Sequence, residues 1–245
     1  MRNRYGETRS AFLGTGCSMV AVQLLASRDA MRDKECMRLA GLILAGGRSR
    51  RMGRPKESLP IGNTTMLGWQ CRTLLACTSP VVVVGRDHAQ QLPELPPGVD
   101  VTVDALPGEG PLAAIAAGLA HLRDRHGFAA DDAAMATGCD QPFLTAHTVR
   151  WLCAQLGDAD LAMPRADDKL QPLTAIYRVR AHEVAEELLA RGVRRPRELA
   201  DHLACSIVEE RRLRGHDPSL RFLRNLNHGT DYEAARRLLA ERHPR

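Results

Sequence analysis

Residues 41–56 read GLILAGGRSRRMGRPK, a short apolar run that passes directly into a loop rich in glycine and arginine. The apolar run is typical of a buried strand, so we expect the basic loop at the carboxyl end of that strand. Gly46 and Gly47 allow backbone N–H groups to approach an anion closely, and Lys56 and the arginines supply positive charge. The pattern therefore indicates a phosphate site after the first strand, with an exposed basic loop as the alternative.

This loop matches neither of the two best-known phosphate-binding motifs. A Walker A loop requires G-x-x-x-x-G-K-[ST], whereas five residues separate Gly47 from Gly53 here. The second glycine is followed by Arg54 and Pro55 rather than by a lysine. The dinucleotide motif G-x-G-x-x-G is also missing. The loop alone thus indicates an anion site that suits a triphosphate, without naming a family.

The composition is that of a globular protein with an aliphatic core. The chain has 245 residues, of which 44% are hydrophobic and only 4% aromatic, with many residues suited to helices. No apolar stretch approaches the roughly 18 residues needed to cross a bilayer, so we expect no membrane span. The net charge of +5 fits an anionic substrate. The scattered basic residues and scarce aromatics argue against nucleic acid as the partner.

The cysteines and the first residues bear on the cellular compartment. The seven cysteines are widely spaced and include no C-x-x-C pair. This argues against a disulfide framework or a structural zinc site and favours the cytoplasm. Residues 1–38 have a basic start and an interrupted apolar patch without a cleavage site, so we interpret them as a disordered extension rather than a signal peptide. Residues 39–245 are then expected to form a single domain.

From residue 39 onward, short apolar runs alternate with segments of helical periodicity. The expected strands are 41–45, 80–85, 99–104, 133–140, 159–166 and 172–178, and the expected helices are 66–77, 111–124, 144–156 and 181–192. This alternation predicts an α/β fold with a mostly parallel sheet and helices on both faces. The last two strands would form a return pair joined by the turn DDK.

Polar residues follow several of the expected strands, at the edge where open α/β sheets bind their ligands. The loops concerned are 44–56, 85–87, 104–112 and 139–142. Asp140, in GCDQP, is placed to hold Mg²⁺ through a carboxylate oxygen, although Asp140 or Thr145 would serve equally as the cap of the next helix. Asp104 has the same two interpretations, as a ligand contact or as the cap of the helix that begins at Pro111.

The segment NLNHGTDYEAARRLL places two asparagines just before a helix near the end of the sequence. Their amide oxygens are acceptable Mg²⁺ ligands, so Asn227, and with it Asn225, would complete a site begun by Asp140. Asparagine is also common in turns and at helix caps, and the residues alone leave both interpretations open.

Taken in order, these segments resemble the molybdenum cofactor guanylyltransferases, a branch of the nucleotidyltransferases. The segments that carry the resemblance are LAGGRSRRMGRPKESLP, VVVVG, GEGPLAAI, CDQPFL, QPLTAIYR, RGVRRPREL and NLNHGTDYEAARRLL. The first marks the wider superfamily, and GPLAAI, CDQPFL and QPLTAIYR narrow it to this branch. The chain departs from the family pattern after the second strand, where Gly85 and Arg86 stand in place of an asparagine.

The resemblance implies a three-layer, Rossmann-like fold of the glycosyltransferase-A type and a Mg²⁺-dependent transfer of GMP from GTP to molybdopterin. Lys56 and Asp140 would be catalytic. The implied contacts are Leu44, Ala45, Gly46, Gly47, Lys56, Asp104 and Asp140 to the nucleotide, Arg48 and Arg51 to phosphate, and Asp140 and Asn227 to the metal. The implied partners are GTP, molybdopterin and the proteins that deliver or accept the cofactor, with no nucleic acid and no membrane.

Other functions stay open, because the residues that would select the base are not located by the sequence. Within the same enzyme class, the alternatives are cytidylyl transfer to the same pterin and nucleotidyl transfer to a sugar phosphate. From a different class, the alternative is an adaptor that binds nucleotide or pterin without catalysis. Turnover of GTP compared with CTP would separate the first two from guanylyl transfer.

Overall fold

The computed structural model describes residues 37–47, 55–104 and 108–242. The strands are β1 (Leu39–Leu44), β2 (Pro60–Ile61), β3 (Thr64–Thr65), β4 (Val81–Gly85), β5 (Val99–Val103), β6 (Ala133–Gly138), β7 (Leu161–Ala166), β8 (Lys169–Leu170), β9 (Thr174–Arg178) and β10 (Cys205–Val208). The α-helices are α1 (Met66–Leu75), α2 (Pro111–His126), α3 (Ala146–Cys153), α4 (Ala181–Ala190), α5 (Glu210–His216) and α6 (Gly229–Arg242). Short 3-10 helices cover Lys56–Ser58, Pro196–Asp201 and Arg221–Leu223.

Strand β1 lies in the middle of the main sheet, between β4 and β6, and the three strands run parallel. The order across the sheet is β10-β7-β9-β6-β1-β4-β5, with β8 paired to β7. Strand β9 runs antiparallel to both β6 and β7, whereas β10 is parallel to β7. All five residues of β4 are buried, as expected for a β-branched strand covered on both faces. The prediction of a mostly parallel α/β sheet is confirmed.

The predicted return pair corresponds to β7 and β9, which are antiparallel neighbours with Leu161 opposite Tyr177. The connection between them differs from the prediction. Asp167 and Asp168 have φ angles of 47° and 56°, the left-handed conformation of a tight two-residue hairpin turn. This turn brings the chain straight back as the short strand β8, so the sequence DDK joins β7 to β8 and not directly to β9.

Helix α2 covers β1 and its neighbours and packs unusually close to the sheet. Its buried face is made of leucine, isoleucine and alanine, in agreement with the aliphatic core expected from the composition. At Gly118, an ideal Cβ would lie 2.2 Å from Leu42 Cδ1 in the middle of β1. Only glycine at this position permits the approach, because any side chain would collide with the sheet.

A second apolar cluster fixes the end of the described chain to the β2–β3 hairpin and α1. Its buried members are Leu59, Ile61, Met66, Leu226, Tyr232, Ala235 and Leu239, with Trp69 and Phe143 packed against them. The Tyr232 hydroxyl donates a hydrogen bond to the Pro60 carbonyl, and Trp69 Nε1 donates to the Pro142 carbonyl at 3.0 Å. The cluster therefore places residues 225–227 beside the ends of β1 and β6.

The described part of the chain contains five of the seven cysteines and all of the helices named above. Cys71, Cys77, Cys139 and Cys205 are free thiols, and burial raises the pKa of Cys71 to about 12. Among the described helices, none combines the length and the apolar character needed to span a membrane. The predicted extension at 1–38 lies outside the described residues except for its last two, so it stays a prediction.

We expect Gly118→Ala to destabilise the protein, because the new Cβ would lie within 3.0 Å of three atoms of Leu42. Overpacking of a core costs about 1–3 kcal/mol, more than the gain of about 1 kcal/mol from the helix propensity of alanine. Urea unfolding measures the difference. Gly215→Ala in α5 is the matched control, since nothing lies within 4 Å of its ideal Cβ, and it should be neutral or stabilising. Equal effects of the two substitutions would contradict the close helix–sheet contact.

Candidate functional site

Three residues that the sequence singles out meet at one point. The Lys56 ammonium donates a hydrogen bond to Asp140 Oδ2 at 2.8 Å and another to Asn227 Oδ1 at 3.0 Å. The side chains of Lys56 and Asp140 are only 18% and 22% exposed. The cluster thus joins a partly shielded cation to two oxygen atoms that come from residues 84 and 171 positions further along the chain.

Each member of this cluster is fixed by its own backbone. Lys56 begins a 3-10 helix directly after Pro55, whose fixed φ suits such a start. Asp140 follows β6, and its carbonyl accepts a hydrogen bond at 2.9 Å from the N–H of Leu226, which brings the late segment alongside. The carboxylate of Asp231 accepts from the N–H groups of Asn227 and His228 and so holds the turn before α6.

The carboxylate of Asp140 packs against the last residue of β6. An ideal Cβ on Gly138 would lie 2.7 Å from Asp140 Oδ1, so a side chain there would displace the carboxylate. The strand end is supported from below by a buried polar network. Gln141 accepts from Thr137 Oγ1 at 2.6 Å and donates to Thr174 Oγ1 at 2.5 Å. Gln70 donates to Thr137 Oγ1 at 3.1 Å, so that α1, β6 and β9 are tied together beneath the site.

Gln90 joins the end of β1 to the loop after β4. Its Nε2 donates at 2.8 Å both to the Ala45 carbonyl and to Glu57 Oε1, while its Oε1 accepts from the Arg86 N–H at 2.6 Å. Gly46 lies close to the same loop, since an ideal Cβ would be 3.3 Å from Arg86 Cα. The backbone that follows β1 is therefore held in place by the Gln90 side chain.

The remaining predicted nucleotide contacts fall into two groups. Leu44 and Ala45 are buried at the end of β1, and Gly47 is exposed with nothing within 4 Å of its ideal Cβ. The prediction for Arg48 and Arg51 lies outside the described residues. A close approach of the backbone to phosphate stays a prediction for both Gly46 and Gly47. For Gly46 the structure shows a second reason for glycine, the short distance to the Arg86 backbone.

The two capping alternatives are decided by the helix starts. Thr145 caps α3, because its side chain accepts the Thr148 N–H at 3.1 Å. Gly110, and not Asp104, occupies the N-cap position of α2. Asp104 is 8% exposed, and its N–H donates to the Gly85 carbonyl at 2.9 Å. It lines a cleft of about 480 Å³ together with residues of α2 and α4.

Two of the quoted sequence segments, GEGPLAAI and RGVRRPREL, contact each other. Gly108 and Gly110 have φ angles of 89° and 91°, which glycine adopts without strain. An ideal Cβ on Gly110 would lie 3.3 Å from the Arg194 carbonyl oxygen, and the Arg194 guanidinium forms an ion pair with Glu109. Arg194 thus has a structural partner in the loop before α2, a contact that no pattern in the sequence predicts.

A mixed, mostly parallel sheet with a cationic and oxygen-rich cluster at its strand ends is the arrangement of a nucleotidyltransferase. The model of the MobA-like NTP transferase domain matches residues 41–205 of the chain. The chain belongs to this family, which confirms the resemblance stated from the sequence.

Three known proteins illustrate the relationship. The chain is 33% identical to a protein named probable molybdenum cofactor guanylyltransferase from Methanothermobacter thermautotrophicus, over 77% of this chain and 94% of that one. It is 36% identical to a protein of the same name from Mycobacterium tuberculosis, over 66% of this chain and 79% of that one. Molybdopterin-guanine dinucleotide biosynthesis protein A from Archaeoglobus fulgidus has a similar structure, with a TM-score of 0.66 and 21% identity over 82% of this chain and 99% of that chain.

Four glutamine and glutamate side chains support the predicted site residues and were not predicted from sequence patterns. Gln90, Glu57, Gln70 and Gln141 contact backbone or side chains that hold the predicted residues in place. None of them stands in a spacing that points to ligand chemistry. The one available signal was the position of Gln90 and Gln141 in loops that follow predicted strands.

Gly138→Ala should lower the catalytic rate far more than the stability. The added methyl group must push the Asp140 carboxylate aside, and a misplacement of about 1 Å costs on the order of 100-fold in rate. The carboxylate is the end of a side chain and moves without disturbing the sheet, so the urea unfolding midpoint should change little. The two measurements are pyrophosphate release and urea unfolding. An unchanged rate would show that the position of Asp140 is not critical.

Proposed function

We propose that this enzyme transfers GMP from GTP to the terminal phosphate of molybdopterin, which yields the guanine dinucleotide cofactor and pyrophosphate. The observation that carries the proposal is the joint contact of Lys56 with Asp140 and Asn227, since triphosphate chemistry requires a cation and metal-binding oxygens at one point. The choice of guanine as the base and of the pterin as the acceptor is supported by the names of the relatives.

The chemistry of the oxygen atoms fits Mg²⁺. Asp140 offers a carboxylate and Asn227 an amide oxygen, and both already point at one positive charge, the Lys56 ammonium. Mg²⁺ is usually bound by one or two such protein oxygens together with substrate phosphates. When bound, the ion would neutralise charge on the triphosphate and on the departing pyrophosphate.

The protein residues have positioning and electrostatic roles in this proposal. A phosphate oxygen of molybdopterin attacks the α-phosphorus of GTP in line, and the bond to the pyrophosphate oxygen breaks with its electron pair. Lys56 would offset the negative charge on the triphosphate, and the N–H groups near Gly46 and Gly47 would contact phosphate oxygens. The backbone carbonyl of Ala45 is held by Gln90, which keeps this segment from turning away.

A covalent route through the neighbouring cysteine is not favoured. Cys139 lies next to Asp140 in the chain, and burial together with the charges of Asp140 and Glu57 raises the pKa of its thiol far above neutrality. The reactive form of a cysteine is the thiolate, which is scarce when the pKa is raised in this way. Direct transfer between the two substrates therefore needs no nucleophile from the protein.

The cellular setting forms part of the same proposal. The substrates would be GTP and molybdopterin, and the further partners would be proteins that deliver the pterin or accept the finished cofactor. The free thiols among the described residues suit a reducing compartment, for which the cytoplasm is the natural choice.

The substrate assignment is tested by pyrophosphate release from the full chain with Mg²⁺ and molybdopterin, with GTP in one reaction and CTP in another. We expect turnover with GTP and little with CTP. Faster turnover with CTP would replace the proposal by cytidylyl transfer. No pyrophosphate with either nucleotide, in the presence of binding, would favour a non-catalytic adaptor.

The role of Lys56 is tested by Lys56→Met, with Lys169→Met as the matched control because Lys169 lies exposed on β8. Loss of a charge that stabilises the transition state costs about 10²–10³-fold in kcat. We expect that loss for K56M and normal turnover for K169M, and urea unfolding should show K169M unchanged and K56M less stable but still folded under the assay conditions, because the Asp140 carboxylate loses its cation. Wild-type kcat in K56M would refute a phosphate role for Lys56.

Asp140→Asn should remove the dependence of turnover on Mg²⁺ concentration.

A further inference from the structure

Asp100, His121 and His126 form a cluster on the outer side of the sheet. Asp100 Oδ2 lies 2.7 Å from His121 Nε2 and 3.0 Å from His126 Nε2. The three potential ligand atoms all lie within 4.8 Å of one another. Asp100 belongs to β5, the terminal strand of the sheet, and both histidines belong to the second half of α2, so the cluster bridges a strand and a helix.

The carboxylate in this cluster is oriented in advance. Asp100 Oδ1 accepts the Val101 N–H at 2.8 Å, which leaves Oδ2 turned toward the two imidazoles. The donor set at hand is therefore one carboxylate oxygen and two imidazole nitrogens, each by its Nε2 atom.

The helix end that carries the histidines is fixed as well. Arg38 donates to the carbonyl oxygens of Gly127 and His126 at 3.0 and 3.1 Å, and its guanidinium lies 4.0 Å from the centre of the Phe128 ring. Gly127 takes a left-handed conformation that ends α2 immediately after His126. A site on this turn therefore has a rigid backbone, which favours binding because little order has to be created.

We propose that Asp100, His121 and His126 bind one late first-row divalent metal ion, with Zn²⁺ as the preferred species. Two imidazoles and one carboxylate are a common ligand set for zinc, whereas Mg²⁺ prefers oxygen ligands throughout. With bonds of about 2.0–2.2 Å, the ligand atoms around a tetrahedral ion lie roughly 3.3–3.6 Å apart. The distances of 2.7 and 3.0 Å from Oδ2 to the two nitrogens would therefore lengthen when the ion takes the place of the direct hydrogen bonds.

The exposure of the cluster leaves room for a fourth ligand. The side chains of Asp100, His121 and His126 are 43%, 15% and 26% exposed, and His121 borders the cleft of about 480 Å³ that also contains Asp104. Water would complete a tetrahedron from the open side. The bound ion would link β5, the terminal strand of the sheet formed by the described residues, to α2. The proposal does not rest on the proposed transfer of GMP.

Metal binding is tested by titration of the full chain with Zn²⁺ against a competing chelator. We expect wild type to bind one more equivalent than His121→Gln/His126→Gln, and the melting temperature to rise with Zn²⁺ in wild type but much less in the double variant. His88→Gln/His202→Gln removes two exposed histidines elsewhere and should behave as wild type. Equal stoichiometry in wild type and H121Q/H126Q, or no saturable binding by wild type at micromolar Zn²⁺, would overturn the proposal.

Two further measurements separate this site from the cysteines and from misfolding. Co²⁺ bound to imidazole and carboxylate shows visible d–d bands, whereas a thiolate site adds a sulfur-to-cobalt charge-transfer band. We expect d–d bands without the charge-transfer band for the ion at Asp100, His121 and His126. Asp100→Asn keeps the shape of the side chain and should weaken binding at least about tenfold, the scale seen when a metal site loses a supporting contact. The assignment would be refuted if the Co²⁺ ion that wild type binds and H121Q/H126Q does not bind showed a thiolate charge-transfer band. Wild-type affinity for the metal in D100N would refute it as well.

Discussion

The contact of the Lys56 ammonium with two oxygen atoms joins parts of this molecule that lie 84 and 171 residues apart in the chain. Asp140 and Asn227 present oxygen atoms to the same small volume, and such an arrangement is unfavourable unless a positive charge lies between them. Lysine provides that charge within the protein, as a partly shielded point charge on a long, adaptable side chain. The ends of β1 and β6 and the segment before α6 are therefore held together by one electrostatic requirement, with hydrogen bonds and apolar packing arranged around it.

The apolar cluster beneath α6 helps to hold the segment before α6 close to Lys56. Trp69, Tyr232 and Leu226 pack together at the β2–β3 hairpin, and the polar ends of the two aromatic residues bond to backbone carbonyls. Burial of aromatic and aliphatic surface is not directional, whereas the hydrogen bonds from Trp69 and Tyr232 fix the direction of approach. Together with the hydrogen bond from the Leu226 N–H to the Asp140 carbonyl, they hold the segment that contains Asn227 beside the end of β6.

The sequence predicts the repeating parts of this structure well and the unique contacts poorly. Periodicity identifies β1, β4 and α2, because burial on both faces of a sheet or on one face of a helix leaves a regular pattern. Residue type and position at strand ends make Lys56, Asp140 and Asn227 candidates with open alternatives, and the order of segments shared with a family assigns their roles. Gln90 and the cluster of Asp100 with its histidines lie outside both kinds of signal. They depend on distances between segments that are remote in sequence, and short-range patterns carry no record of such distances. The turn after β7 was misassigned for a local reason, since two aspartates in a left-handed conformation gave no warning of β8.

The position of Asn227, 171 residues after Lys56, has a consequence for how the protein is made. The sheet from β1 to β9 and its helices are complete long before this asparagine leaves the ribosome, and domains begin to fold during synthesis. A nascent chain would therefore already possess the Rossmann-like layers while one oxygen of the oxygen–lysine cluster was still absent. Chemical competence would come later than folding, and a chain cut directly after β10 would retain the strand pairing of the sheet without that oxygen or the apolar cluster that holds it.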